Sequence, residues 1–355
     1  MIRVLLINQD KIPHYRVPIY GYLGKFLLNF GFEFMVASNG IQAGNPHPIE
    51  FQHSEINLSV LSLVRLISKW QIDVIIFWVN MKHLYLLPTC LIAKVLLRKK
   101  IIYWGHGRDL ADVKAKIKNL VYAVQQALSD SIILYAEHLK KYLPRCIQGK
   151  VFVANNTLYL SYPGLPPGDR EKVLKEYHIH TNKNIICVGR MQKRKRLNHL
   201  AAAFESMNRP DIGLILVGPD PERILDKMNG NNIYKLGPIY GEKKFDLLSA
   251  ADVCCLPGAV GLSIVDAFYC GLPLVTEDGD ESPEIGYLRD GENGFIVSKG
   301  NILEMTQKLL LLIDNDALRL RFSKEAKTEI EKNGNINQLC SGFKDALCFA
   351  TRQSG

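Results

Sequence analysis

Two segments of this sequence place cations, glycines and a carboxylate at spacings suited to gripping phosphate. In VGRMQKRKRLNHLAAAF a strand-like run ends at Val188, Gly189 and Arg190 follow, and Lys195 comes five residues after the arginine. A helical pattern begins near Leu197. Glycine permits close backbone approach, a helix N-terminus favours anions, and two fixed cations can hold a diphosphate. The structural alternative is a solvated basic turn over residues 193–196. In ADVCCLPGAVGLSIVDAFYCGLPLVT a strand ends at Pro257, and a loop with Gly258 and Gly261 opens a helix at Ser263 with Asp266 one turn inside. The amides of Gly261, Leu262 and Ser263 could meet a phosphate there, and Asp266 could accept ribose hydroxyls. The alternative is a helix capped by Ser263, with an acid favourable in its first turn.

The elements that must position these residues alternate between apolar runs and helical patterns. Strands are predicted over 3–8, 32–37, 74–78, 100–104, 131–134 and 150–153, and helices over 17–29, 61–69, 83–97 and 113–129. A second series has strands over 185–188, 213–217, 233–235, 253–256, 273–276 and 294–297. Its helices are predicted over 170–177, 197–206, 222–227, 243–249, 263–270 and 301–313, and two charged helices, 317–332 and 336–351, close the chain. Continuous Val/Ile-rich runs are strands buried on both faces, and their alternation with helices predicts parallel sheets with crossover helices. Ligand sites in such folds lie at the carboxyl ends of the strands, and with two domains the expected site is the cleft between them. The Pro/Gly-rich SYPGLPPGD stretch marks a linker.

Order and spacing across the C-terminal half resemble glycosyltransferase family 4, a family of retaining GT-B enzymes. The resemblance is carried by VGR-x4-K, Val217-Gly218-Pro219, Leu236-Gly237-Pro238, SAADVCCLPG, DAFYCGLPLVT, PEI and DGENGFIV. It implies an α/β GT-B fold, two Rossmann-like domains with parallel sheets facing across a cleft. It also implies domains over 1–160 (acceptor) and 181–335 (nucleotide-sugar donor), a linker over 161–180, and a C-terminal helix over 336–355 that packs back on the first domain. Arg190 and Lys195 are then the catalytic cations that bind the donor diphosphate, and Gly189, Gly218 and Gly258 belong to the donor site. Gly237, Pro238 and Ile239 lie near the base, and Gly261, Leu262 and Ser263 meet phosphate and sugar. Asp266 takes the place of the second acid of the family's E-x7-E motif and binds the ribose. The first acid would fall on Gly258, so one carboxylate that usually holds the donor sugar is missing.

The N-terminal half resembles the family more loosely. NQDKIPHYR, with His14, Tyr15 and Arg16, stands where many members carry a Gly-Gly loop. His106 in YWGHGRDL matches the family's histidine segment and would face the donor sugar; the alternative is a histidine in a Gly-bounded turn. Asn155 and Asn156 match the strand end at the domain crossover and are expected to serve as hinge or cleft lining. Asp278-Gly279-Asp280 spells the metal–diphosphate signature of the other large glycosyltransferase architecture, but its position after a strand of the second domain reads as a turn.

The chain has 355 residues with 47% apolar and 22% charged content, as in an ordinary globular protein of two domains. No apolar run reaches membrane-spanning length and no signal peptide is seen, so a cytoplasmic protein is expected, at most peripheral on the inner face of the membrane. The eight cysteines form no C-x-x-C pair and read as buried thiols, so neither a metal nor a cofactor is expected. Residues 1–160 hold 19 basic and 9 acidic residues, whereas the remainder holds 25 and 26. This excess suits an anionic membrane surface or a phosphate-bearing acceptor better than nucleic acid, for which no binding motif is present. Arg98, Lys99, Lys100, Lys114, Lys116 and Lys118 are either a membrane-facing patch or solvated helix faces. The expected activity is sugar transfer from a UDP- or GDP-sugar to a glycan or lipid-linked acceptor. The reaction is expected to be retaining, hexosyltransferase-type and metal-free, in surface polysaccharide, lipopolysaccharide or glycolipid synthesis. A sugar-nucleotide epimerase and a non-catalytic scaffold subunit remain as alternatives.

Overall fold

The structure, a computed structural model, describes residues 1–110, 115–162, 169–279 and 282–352. The chain divides into two compact units, one formed by residues 1–159 with the chain from 335 onward and the other by 160–334. Lys114 and Asp280, and most of the Pro/Gly-rich stretch, lie outside the described residues.

In the first unit the strands are β1 (Ile2–Ile7), β2 (Phe32–Ser38), β3 (Gln52–Glu55), β4 (Val74–Phe77), β5 (Lys100–Gly105), β6 (Ser131–Leu134) and β7 (Val151–Val153). All pair in parallel, in the order β3-β2-β1-β4-β5-β6-β7. Helices α1 (Arg16–Leu28), α2 (Val60–Lys69), α3 (Leu87–Leu91) and α4 (Lys116–Leu128) connect them. The central strands are buried along nearly their whole length, because helices cover both faces. β3 escapes the sequence pattern because QHSE is a polar edge strand with one neighbour. The helix predicted over 83–97 is broken instead. His83 sits at φ −113, ψ 25 in a 3₁₀ turn, and Pro88, which lacks an N–H, starts the short α3.

The second unit repeats the plan. Its strands are β8 (Lys183–Val188), β9 (Ile212–Val217), β10 (Ile233–Gly237), β11 (Val253–Cys255), β12 (Leu274–Glu277) and β13 (Gly294–Val297), in the parallel order β10-β9-β8-β11-β12-β13. Helices α5 (Arg170–Glu176), α6 (Leu197–Met207), α7 (Glu242–Ala250), α8 (Ser263–Tyr269), α9 (Ile302–Asp314) and α10 (Asp316–Asn333) surround the sheet. α5 is no part of a linker: Val173 and Leu174 are buried, and Arg170 pairs with Asp252 at 2.8 Å. The helix predicted over 222–227 shrinks to one 3₁₀ turn, because the Asp220 carboxylate accepts the Ile224 and Leu225 amides at 2.9 and 2.8 Å.

The last helix, α11 (Ile336–Arg352), belongs to the first unit. Leu339, Cys340, Phe343 and Leu347 are buried in the N-terminal core, where the Phe343 ring meets Trp104 edge-on at 4.9 Å. Strand order reverses at β1/β4 in one sheet and at β8/β11 in the other. Those reversals open crevices at the strands' carboxyl ends, where α/β sheets bind ligands.

Candidate functional site

At the β8/β11 reversal the C-terminal unit brings the two chemical segments together. Gly258 N donates to the Lys195 carbonyl at 3.0 Å and Ala259 N to that of Arg194 at 3.2 Å, joining the loop after β11 to the turn after β8. The approach is so close that a Cβ on Gly258 would collide with the Arg194 carbonyl. In this backbone position 258 leaves no room for a side chain. Gly218, at φ +146, is constrained in the same way by the carbonyl of Gly189.

The side chains converge on Gly189. A Cβ placed there would lie 2.9 Å from Ser263 Oγ and 3.8 Å from Lys195 Nζ. Lys195 is buried, and its ammonium donates to the Val260 carbonyl at 3.1 Å. Arg190, in contrast, is exposed. Ser263 does not cap α8; the N-cap is Leu262, with no side-chain hydrogen bond. Gly261 holds φ +53, and the Gly237 carbonyl accepts the Gly218 amide at 2.7 Å, which ties the end of β10, followed by Pro238 and Ile239, to the same rim.

Asp266 is buried, and its Oδ1 accepts from Lys244 Nζ at 2.7 Å. Burial raises its pKa, and Lys244 works in the opposite direction. Lys244 was not singled out from the sequence, since α7 offers several charges and no spacing distinguishes one. The same holds for Glu277, fully buried at the end of β12 between Arg196 at 2.6 Å and His199 at 2.5 Å. Asp278 lies in a turn, its carboxylate accepting the Gly279 amide at 2.7 Å. Among the described residues no cluster of His, Cys, Asp and Glu is suited to a metal.

In the N-terminal unit the β1/β4 crevice is a cavity of about 210 Å³ whose lining includes Asn8, Asp10, Tyr15, Arg16, Trp78 and Trp104. Arg16, at the start of α1, is 8% exposed, and its Nη2 donates to Asn156 Oδ1 at 2.9 Å. Its guanidinium lies 5.0 Å from the Trp104 ring and 5.6 Å from those of Tyr15 and Tyr135. Arg16 Nη1, Trp78 Nε1, Trp104 Nε1 and His14 Nδ1 are buried without a hydrogen-bond partner. His106 follows β5, 4.9 Å from the Tyr135 ring; burial foremost, then Arg16, lowers its pKa to about 4, so it is neutral at pH 7. Asn155 is partly buried beside Asn156. Thus His14, Arg16 and Asn156 share one neighbourhood of this unit, whose tryptophans gave no sequence signal because they read as ordinary core.

Two Rossmann-like units, with the switch point of the second lined by glycine, lysine and serine, define the GT-B architecture of glycosyltransferases. Residues 169–329 match the family described as Glycosyl transferases group 1, and the chain carries that domain. An uncharacterized glycosyltransferase of Methanocaldococcus jannaschii is 26% identical over 268 residues, 70% of this chain and 67% of the relative. The phosphatidyl-myo-inositol mannosyltransferase of Mycobacterium leprae is 31% identical over 150 residues, 39% of this chain and 40% of the relative. The crystal structure of Anabaena HepE in complex with UDP and glucose superposes with a TM-score of 0.77 at 15% identity, over 98% of this chain and 100% of HepE. No helix among the described residues is long and apolar enough to cross a membrane.

Proposed function

We propose that this protein transfers a sugar, with retention and without metal, from a UDP- or GDP-sugar held by the C-terminal unit to a glycan or lipid-linked acceptor taken by the N-terminal unit. The observation that carries the reading is the convergence of a buried lysine ammonium, a serine hydroxyl and a glycine at the β8/β11 switch point. Charge developing on a leaving diphosphate is best stabilised by such preorganised donors. Exposed Arg190 would reach the outer phosphate, and the second oxygen of Asp266, beside the one held by Lys244, would accept the ribose. Retention rests on the family resemblance. The bond from C1 to the diphosphate oxygen breaks, the acceptor oxygen bonds C1 on the same face, and the acceptor proton passes to the leaving phosphate. Neutral His106 would hydrogen-bond a sugar hydroxyl rather than supply charge. HepE, solved with UDP and glucose, supports a UDP-sugar donor, and the relative named phosphatidyl-myo-inositol mannosyltransferase supports a lipid-linked acceptor.

A membrane-surface location, as expected for polysaccharide or glycolipid synthesis, is supported by α4. It exposes Ile117, Leu120 and Val124 along one face next to exposed Lys116. Lys118 and Lys100 contribute less, being paired with Asp109 at 3.0 Å and Asp130 at 3.8 Å.

The test is a thermal-shift screen against UDP-, GDP- and other nucleotide sugars, followed by product analysis in EDTA. Stabilisation by a UDP- or GDP-sugar and transfer that survives chelation are expected. Epimerised sugar formed from donor alone would replace this reading with the epimerase, and binding without turnover would make the chain a scaffold.

A further inference from the structure

We propose that the N-terminal unit contains an oxyanion site centred on Arg16, which takes a phosphate or carboxylate carried by the acceptor. The proposal rests on the acceptor role given above to this unit and narrows the acceptor to an anionic one.

An arginine is always protonated, and a buried charge is ordinarily paired. Elsewhere in the chain buried or nearly buried cations meet an acid or a carbonyl: Lys244 meets Asp266 at 2.7 Å and Lys195 meets the Val260 carbonyl at 3.1 Å. Arg16, 8% exposed, meets one amide oxygen and three aromatic faces, and among the described residues no ion pair reaches it. The acid on the cavity wall, Asp10, is engaged by Lys82 at 3.3 Å and His83 at 3.4 Å.

Three residues lining this cavity bury a donor that lacks an acceptor: Arg16 Nη1, Trp78 Nε1 and Trp104 Nε1. Buried polar groups are nearly always satisfied, so three unsatisfied donors on one cavity call for an acceptor with several lone pairs. The Trp104 ring lies 5.0 Å from the guanidinium carbon and helps to hold that group in place. A phosphate or carboxylate accepts well from a guanidinium, whose donors match its oxygens. At about 210 Å³ the cavity is smaller than the roughly 300–1,000 Å³ of sites for whole small ligands, so it takes the charged group and not the entire acceptor. Its place at the carboxyl ends of β1 and β4 is where such a fold presents ligands.

The test uses the full chain with ¹⁵N-labelled tryptophan. The sequence has three tryptophans, so Trp70, which does not line the cavity, is an internal reference. Titration with inorganic phosphate and, separately, glucuronate should shift the Trp78 and Trp104 indole N–H signals and leave Trp70 unmoved; glucose should shift none. Whichever anion binds more tightly identifies the source. Arg16→Gln should weaken that binding about tenfold or more, the value of one hydrogen bond to a charged group. If this variant does not fold, Trp104→Phe keeps the ring against the guanidinium and must still weaken anion binding by about threefold. Absence of indole shifts with both anions, equal shifts with glucose, or unchanged affinity in a folded variant would overturn the proposal. UDP binding by the parent protein, measured in parallel, judges the donor reading separately.

Discussion

The two units place their polar groups by different means. At β8/β11 the backbone does the work: Gly258 and Gly218 let two turns touch, and Lys195 and Ser263 are delivered to Gly189 by that contact. At β1/β4 side chains do it: Arg16, Trp78, Trp104, Tyr135 and Asn156 come from five separated stretches and meet through ring faces and one amide. A site built on close backbone approach leaves glycines at fixed spacing in the sequence, whereas a site built on assembled side chains leaves almost no local trace.

Four perturbations would break or sharpen that contrast. The largest effect is expected from Lys195→Ala, which removes the buried cation of the backbone-built site. Turnover at saturating donor should fall on the order of 10²–10³-fold, and parity with the parent protein would remove Lys195 from the chemistry. Next comes His106 in the other unit. The unfolded chain binds a proton near pH 6.5 and the folded chain only near 4. Stability should therefore decline as pH falls through that window and level off below it, by up to about 3 kcal/mol. Denaturant midpoints at pH 7.5 and 4.5 should differ less in His106→Gln; an unchanged difference would show that the imidazole is not held neutral.

Gly258→Ala should destabilise by about 1–3 kcal/mol through the clash with the Arg194 carbonyl, read as a lowered melting temperature. Gly258→Glu, although it restores the family's acid, should lose more. A Gly258→Glu protein with parental stability and better donor binding would show that the site does not depend on the turn-to-turn contact. The smallest effect concerns the surface. Sedimentation with anionic vesicles, absent with neutral ones, should weaken about fivefold in Lys116→Gln, since each charge near such a surface is worth about 1 kcal/mol. Insensitivity to both salt and this substitution would favour a soluble acceptor.

Element order in both sheets was legible because buried parallel strands are continuous apolar runs; the edge strand Gln52–Glu55, being polar, was not. Gly189, Lys195, Gly218 and Asp266 stood out because their surroundings repeat a spaced pattern. Lys244 and Glu277 did not, because each is one acid or base among many and gains meaning only from Asp266 at 2.7 Å or from Arg196 at 2.6 Å. The missing acid at position 258 was visible as a departure, but the close contact there was not, since nothing in the chain order reveals that residue 194 lies against it.

Helix α11 has a consequence for how the protein is made. The chain leaves the N-terminal unit at Tyr159 and rejoins it at Asn335, after the whole of residues 160–334. During synthesis the second unit is therefore complete before the first. At about 5–20 residues per second, the ribosome needs roughly 10–35 s for that interval. Throughout it the nascent N-terminal sheet lacks Phe343 and Leu347, and its apolar face against Trp104 stays wet. The N-terminal unit thus emerges before the second unit and becomes native after it.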